Sequence, residues 1–164
     1  MEPRWLASEQ EHAWRAYCAL TLLLEDTIDQ QLRRDTGMTH LHYRVLVFLS
    51  DRPDQRLRMT DLAECLKIAR TRLSYTIQRM EDAGWVRRED CPDDKRSQLA
   101  VLTDEGMQAL KRAAPGHVSL VRTAVFDRLT HEQSRAFGEA CQIILTGLID
   151  PDGAAPDTNL PWRR

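Results

Sequence analysis

Between Lys67 and Met80 the chain carries four cations, Lys67, Arg70, Arg72 and Arg79, and no aspartate or glutamate. Thr71, Ser74, Tyr75 and Gln78 lie among them. Guanidiniums, hydroxyls and a carboxamide are the groups that hold phosphates and read base edges in a major groove. At 100° per residue, Leu73, Ile77 and Met80 share one face of a helix. Thr71, Arg72, Ser74, Tyr75, Gln78 and Arg79 share the other, which holds no acid until Asp82 at its far end. A helix face that merely meets water usually mixes signs. A second cluster, Asp93-Asp94-Lys95-Arg96, follows between two short strand-like segments. Lys95 and Arg96 suit a narrow minor groove, where negative potential is high. Asp94 is placed to hold the Arg96 guanidinium through a charge-assisted hydrogen bond.

The elements that must position these groups are largely readable. Residues 8 to 35 carry apolar residues at helical spacing, and Gly37 suits a C-terminal cap. Thr39 is an N-cap for a second, largely buried helix from His40 to Ser50. Arg56 to Met59 alternates like a brief strand, and Thr60 is placed to cap a third helix, Asp61 to Lys67. The basic helix then spans about Arg70 to Ala83 and closes at Gly84. Trp85–Glu89 and Gln98–Leu102 read as strands joined by a polar loop over 90–97. Thr103-Asp104-Glu105 opens a fifth helix, which Pro115-Gly116 should kink or break. Thr130-His131-Glu132-Gln133 is a capping box that opens a sixth, and a Pro-containing tail follows from Asp150. The fold class is therefore mainly α with a small β-hairpin, arranged as a winged helix-turn-helix between N- and C-terminal helices.

Composition narrows the functional classes. With 42% hydrophobic and 29% charged residues, 164 residues make one ordinary globular domain. No apolar run has the length of a membrane span and the N-terminus lacks a secretory stretch, so a cytoplasmic protein with no membrane partner is expected. The net charge of −2 is no bar to DNA, because phosphate attraction is local, acting over a Debye length of roughly 8 Å. Cys18, Cys65, Cys91 and Cys141 form no Cys-x-x-Cys pair, which argues for buried or incidental thiols and against a zinc site or disulfide framework. His40 and His42 point about 200° apart on a helix, so no metal is expected. No phosphate loop, zincin motif or nucleophile elbow occurs, so neither an enzyme nor a cofactor is expected.

Met38 to Leu110 resembles the DNA-binding core of MarR-type regulators. The resemblance lies in Met59-Thr60-Asp61-Leu62-Ala63, in Arg79–Arg88, and in Pro92-Asp93-Asp94-Lys95-Arg96 followed by Leu102-Thr103-Asp104-Glu105-Gly106. It implies a homodimer built from residues 8–36 and 104–149, a winged helix-turn-helix over 39–103, and a tail over 150–164. It also implies a ligand-responsive repressor on a pseudo-palindromic operator, with half-sites about one DNA turn apart. The DNA-contacting residues expected are Thr60, Arg70, Thr71, Arg72, Ser74, Tyr75, Gln78, Arg79, Asp94, Lys95 and Arg96. Two departures from the family pattern stand out: Lys67 where glycine is common, and Ala69 where a Ser or Thr cap is common.

Such regulators often bind small aromatic or acidic effectors between the dimer helices and the DNA-binding lobe. Candidates here are Trp14, Arg15, Cys18, His42, Tyr43 and Leu46, with the cations to neutralise a carboxylate and the rings to stack. A peroxide-sensing relative would carry its cysteine near Arg15, one turn before Cys18, and Cys18 sits in an apolar stripe that would blunt its reactivity. Urate-type relatives place an aspartate where Arg44 stands. A redox-sensing regulator and a helical dimer that does not read DNA are the alternatives.

Overall fold

The computed structural model describes residues 3–92 and 94–149, with the Lys95 side chain outside that description. Its elements run α1 (Ser8–Thr36), α2 (His40–Ser50), β1 (Arg56–Arg58), α3 (Met59–Leu66), α4 (Arg70–Asp82), β2 (Val86–Cys91), β3 (Asp94–Leu102), α5 (Asp104–Ala124) and α6 (His131–Ile149). A 3-10 turn, Phe126–Arg128, joins the last two helices. The strands form one antiparallel sheet in the order β1-β3-β2. The tail from residue 150 lies outside the described residues.

The core lies where α2, α3 and α4 close on the sheet, on the C-terminal part of α1 and on the N-terminal half of α5. Leu32, Val45, Leu46, Leu49, Leu62, Leu73, Ile77, Met80 and Ala100 are fully buried there. The caps act as expected at three sites. Gly37 adopts φ 74° and returns its N–H to the Arg33 carbonyl. Thr39 Oγ1 accepts the His42 N–H at 3.1 Å, and Thr130 exchanges hydrogen bonds with Gln133.

Four local expectations need correction. First, Thr60 is no cap: α3 begins at Met59 without a side-chain cap, and the Thr60 hydroxyl donates to Asp61 Oδ1. Lys67 ends the helix in the left-handed region at φ 53°, the geometry for which glycine is the unstrained choice. Second, the polar loop over 90–97 is mostly strand, since β2 and β3 run until only positions 92 and 93 separate them. A register irregularity at Asp90/Cys91 allows this, and Cys91, Leu99 and Val101 bury one face of the hairpin. Third, of the kink or break expected at Pro115-Gly116, the break does not occur, since α5 runs on through both residues. A Cβ at Gly116 would meet Gln31 Nε2 at 2.8 Å and Asp35 Oδ2 at 3.2 Å, so this glycine serves the close crossing of α1 over α5. Fourth, the cysteines are not uniformly buried: Cys91 is, Cys65 is half-buried, and Cys18 and Cys141 are exposed. Among the described residues, little packs against the apolar stripes that carry those two thiols. Trp14, Tyr17, Leu22 and Leu23 of α1 and Ile143, Ile144 and Leu148 of α6 are all exposed.

Candidate nucleic-acid interface

α4 presents its two faces as its sequence dictates. Leu73, Ile77 and Met80 have no solvent exposure, while Arg70, Thr71, Arg72, Ser74, Tyr75, Gln78 and Arg79 are exposed. Thr76 is the exception among the polar residues: it is buried, and its hydroxyl satisfies itself on the Arg72 carbonyl at 2.8 Å. Ala69 offers no cap, so the first amides of α4 have no side-chain partner from that position. Among the described residues, Arg70, Arg72, Arg79 and Arg96 form no ion pair, although eleven ion pairs occur elsewhere. Arg79 instead lies along Tyr75, with Nη1 donating to the phenol oxygen at 3.3 Å and Cζ 5.9 Å from the ring centre. The cations of this face are therefore free to meet an external anion.

A cleft of about 240 Å³ opens between the start of α3, the first turn of α4 and the hairpin. Thr60, Arg70, Ser74, Arg96, Ser97 and Gln98 line it. Four of the expected DNA contacts thus converge across 36 residues of sequence. Asp94 takes a different part from the one expected. Its Oδ1 accepts the backbone N–H of Arg96 at 3.0 Å and its Oδ2 the Ser97 hydroxyl at 2.6 Å. These two hydrogen bonds, the Ser97 one foremost, hold its carboxyl below the usual carboxylate range. Asp94 therefore shapes the hairpin backbone and leaves the Arg96 guanidinium unclaimed, because a short carboxylate near a strand turn finds adjacent amides before a distant fork.

Arg88 was legible only as a strand residue, yet it ties the hairpin to α4. Its backbone N–H donates to Glu81 Oε1 at 3.0 Å, and its Nη1 lies 3.3 Å from Glu81 Oε2. Nη2 donates to the Ser74 carbonyl at 2.8 Å and Nη1 to Gln78 Oε1 at 3.3 Å. Strand alternation was the available signal: Val86 is buried, Arg88 follows two residues later on the same face, and it pairs with buried Ala100. A charge on that face requires a partner.

The six effector candidates do not meet within one chain. Trp14 is stacked on Tyr17 at 5.7 Å in the open, Arg15 pairs with Glu11 at 2.5 Å, and Cys18 is exposed. The first buried residue of α1 is Ile28, about 15 Å further along the helix than Cys18. Leu46 is core, and Tyr43 packs 4.5 Å from the His117 ring. His42 is committed to its cap, its Nδ1 accepting the Thr39 N–H at 3.3 Å, and its ring meets the edge of Trp85. Burial first, then Arg79 and Arg33, lower the His42 pKa, with Asp29 opposing. The cavity that the chain does form, about 280 Å³, lies between α1, α5 and Trp85, and includes Gln31, Asp35, Met38 and Arg112. No group of three or more His, Cys, Asp or Glu residues able to hold a metal occurs among the described residues. Nor is any described helix long and apolar enough to cross a membrane.

Comparison with known proteins agrees with this geometry. Residues 36–97, from the end of α1 into β3, match a family model described as "MarR family". Sco3205 of Streptomyces coelicolor, a MarR family transcriptional regulator solved in complex with DNA, is 53% identical, with 99% of each chain covered and a TM-score of 0.83. AbsC, another such regulator from Streptomyces coelicolor, is 37% identical over 90% of this chain and 99% of its own, with a TM-score of 0.81. The transcriptional regulator HosA of Escherichia coli O111:H- is 33% identical over 61% of this chain and 72% of its own length. A recognition face that holds no acid until Asp82, a charged hairpin beside it and likeness across whole chains converge on one conclusion: the chain belongs to the MarR family of helix-turn-helix transcriptional regulators.

Proposed function

We propose that the chain is a cytoplasmic repressor, not an enzyme, that binds a pseudo-palindromic operator as a homodimer. α4 enters the major groove and the hairpin tip, with Lys95 and Arg96, enters the adjacent minor groove. The observation that carries this is that Arg70, Arg72, Arg79 and Arg96 make no ion pair among the described residues and gather around one exposed face, beside hydroxyls and a carboxamide suited to base edges. Similarity to a regulator solved on DNA supports the same reading. Residues 8–36 and 104–149 are the dimerisation region and 39–103 the DNA-binding region. The exposed apolar side chains of α1 and α6 favour a second copy over solvent.

The test is a gel shift on the duplex upstream of the chain's own gene at two salt concentrations. Tight association that weakens steeply with salt is expected. Arg96→Ala should weaken binding to all duplexes alike and reduce the salt slope by about one. Salt-insensitive or absent binding by the unaltered chain would leave only a helical dimer that does not read DNA.

A ligand-responsive mode is a second reading, favoured by the cavity between α1, α5 and Trp85, which touches both regions. An aromatic or acidic effector there, or among Trp14, Arg15, Cys18, His42, Tyr43 and Leu46 once a partner chain is present, would raise the melting temperature in a thermal-shift screen. If no aromatic acid shifts it, this mode is wrong.

A further inference from the structure

We infer that Arg88 sets which way the Gln78 carboxamide faces and so directs the chain to guanine, rather than adenine, at one position of each operator half-site. The inference rests on the DNA-reading proposal above and adds the base that is read. An unconstrained glutamine prefers adenine, because its oxygen accepts from N6 while its nitrogen donates to N7. Gln78 is not unconstrained. Arg88 Nη1 donates to its Oε1 at 3.3 Å, and its Nε2 donates to Asp82 Oδ1 at 3.2 Å. A donor on one side and a carboxylate on the other leave a single orientation for the amide.

The two contacts differ in how firmly they are held. Asp82 and Gln78 are both exposed on one helix, and such pairs contribute little. The Arg88 guanidinium is half-buried and held by two further partners, the Ser74 carbonyl and the Glu81 carboxylate, while the Arg88 backbone N–H bond to Glu81 fixes the residue itself. When a duplex arrives, the Asp82 contact gives way and the Arg88 contact persists. Gln78 then presents only its NH₂ to the base. A donor without an acceptor fits guanine, whose O6 and N7 both accept, and does not satisfy the N6 amine of adenine. Arg88 acts here as a positioning residue.

The experiment selects duplexes from a randomised double-stranded pool with the full chain, then measures every single-base variant of the selected duplex. Gln78→Ala identifies the position that Gln78 reads, by flattening preference there alone. The inference expects guanine at that position. Arg88→Met should turn the preference at that position to adenine by about tenfold, a larger change than at any other position. Arg88→Lys, which keeps a donor near Oε1, should retain guanine. Gln78→Glu keeps Arg88 in place and does not depend on Arg88→Met folding. It leaves only acceptors facing the base, so preference should move to cytosine, whose N4 donates. Adenine at the Gln78 position in the unaltered chain overturns the inference. So does an Arg88→Met profile unchanged at that position or degraded equally everywhere, and so does a Gln78→Glu profile without the move to cytosine. A chain that enriches no duplex overturns the DNA-binding proposal itself, which separates the two failures.

Discussion

His42 joins a cap to a pH response. Its Nδ1 closes the capping box of α2 while its ring is covered by Trp85, and burial with Arg79 and Arg33 nearby lowers its pKa. Burial and the neighbouring His40 do the same to His117. Each group binds its proton less readily folded than unfolded. The stability it contributes is therefore full above about pH 6.5 and is lost as pH falls from there through the folded value. The carboxylates with altered pKa values, Asp29, Asp35 and Asp94, are all lowered and lose their contributions only below about pH 4. Melting temperature followed by circular dichroism should thus decline between about pH 7 and 5.5. His42→Gln keeps an acceptor for the Thr39 amide and should flatten that decline; an unchanged slope would assign it elsewhere. At this scale the sequence was legible where chemistry is local. The exposed set of α4 and the caps at Gly37, Thr39 and Thr130 follow from spacing and residue type alone. Arg88 and Asp94 were not legible, because their partners are decided by how a strand seats against a helix.

Among the elements, the hairpin and the start of α5 explain why Leu102-Thr103-Asp104-Glu105-Gly106 stands out in the sequence. Thr103 Oγ1 accepts the Gly106 N–H at 2.9 Å and donates to the Gly84 carbonyl at 2.7 Å, while its own N–H reaches the Trp85 carbonyl at 3.2 Å. One residue thereby caps α5 and fastens it to the turn that ends α4. Gly106 makes room for this: a Cβ there would lie 2.0 Å from the Trp85 carbonyl oxygen, a backbone atom that cannot step aside. Gly106→Ala should therefore cost roughly 2–3 kcal/mol in denaturant unfolding, and a variant as stable as the parent would contradict the packing described. The hairpin itself was underestimated from sequence. Its outer positions are polar because they face solvent, and a polar stretch holding Pro92 looks like a loop until the opposite face, with Cys91, Leu99 and Val101, is seen to be buried. Pro115 misled for the complementary reason, since packing of α5 against α1 outweighs the local cost of a missing N–H.

In the whole molecule, the exposed apolar stripes of α1 and α6 are the largest feature that one chain leaves unexplained. α6 has no buried residue at all, and Ile144 and Leu148 are 63% and 76% exposed. The proposed dimer covers them. Ile144→Glu with Leu148→Glu should convert a dimer to monomer in sedimentation equilibrium, while circular dichroism of the winged region persists. Operator affinity should fall by at least tenfold, since two linked sites bind far better than one. A double variant that sediments like the parent would place the interface elsewhere. The unbroken course of α5 has a further consequence for such an assembly. Its 21 residues make a strut about 31 Å long, bolted at one end to the hairpin base through Thr103 and reaching at the other toward α6. Because α5 runs on through Pro115, both ends of this strut belong to one helix. In the proposed dimer, an extra base pair between half-sites, about 3.4 Å and 35° of rotation, must be taken up at the two ends of this strut or at its proline turn.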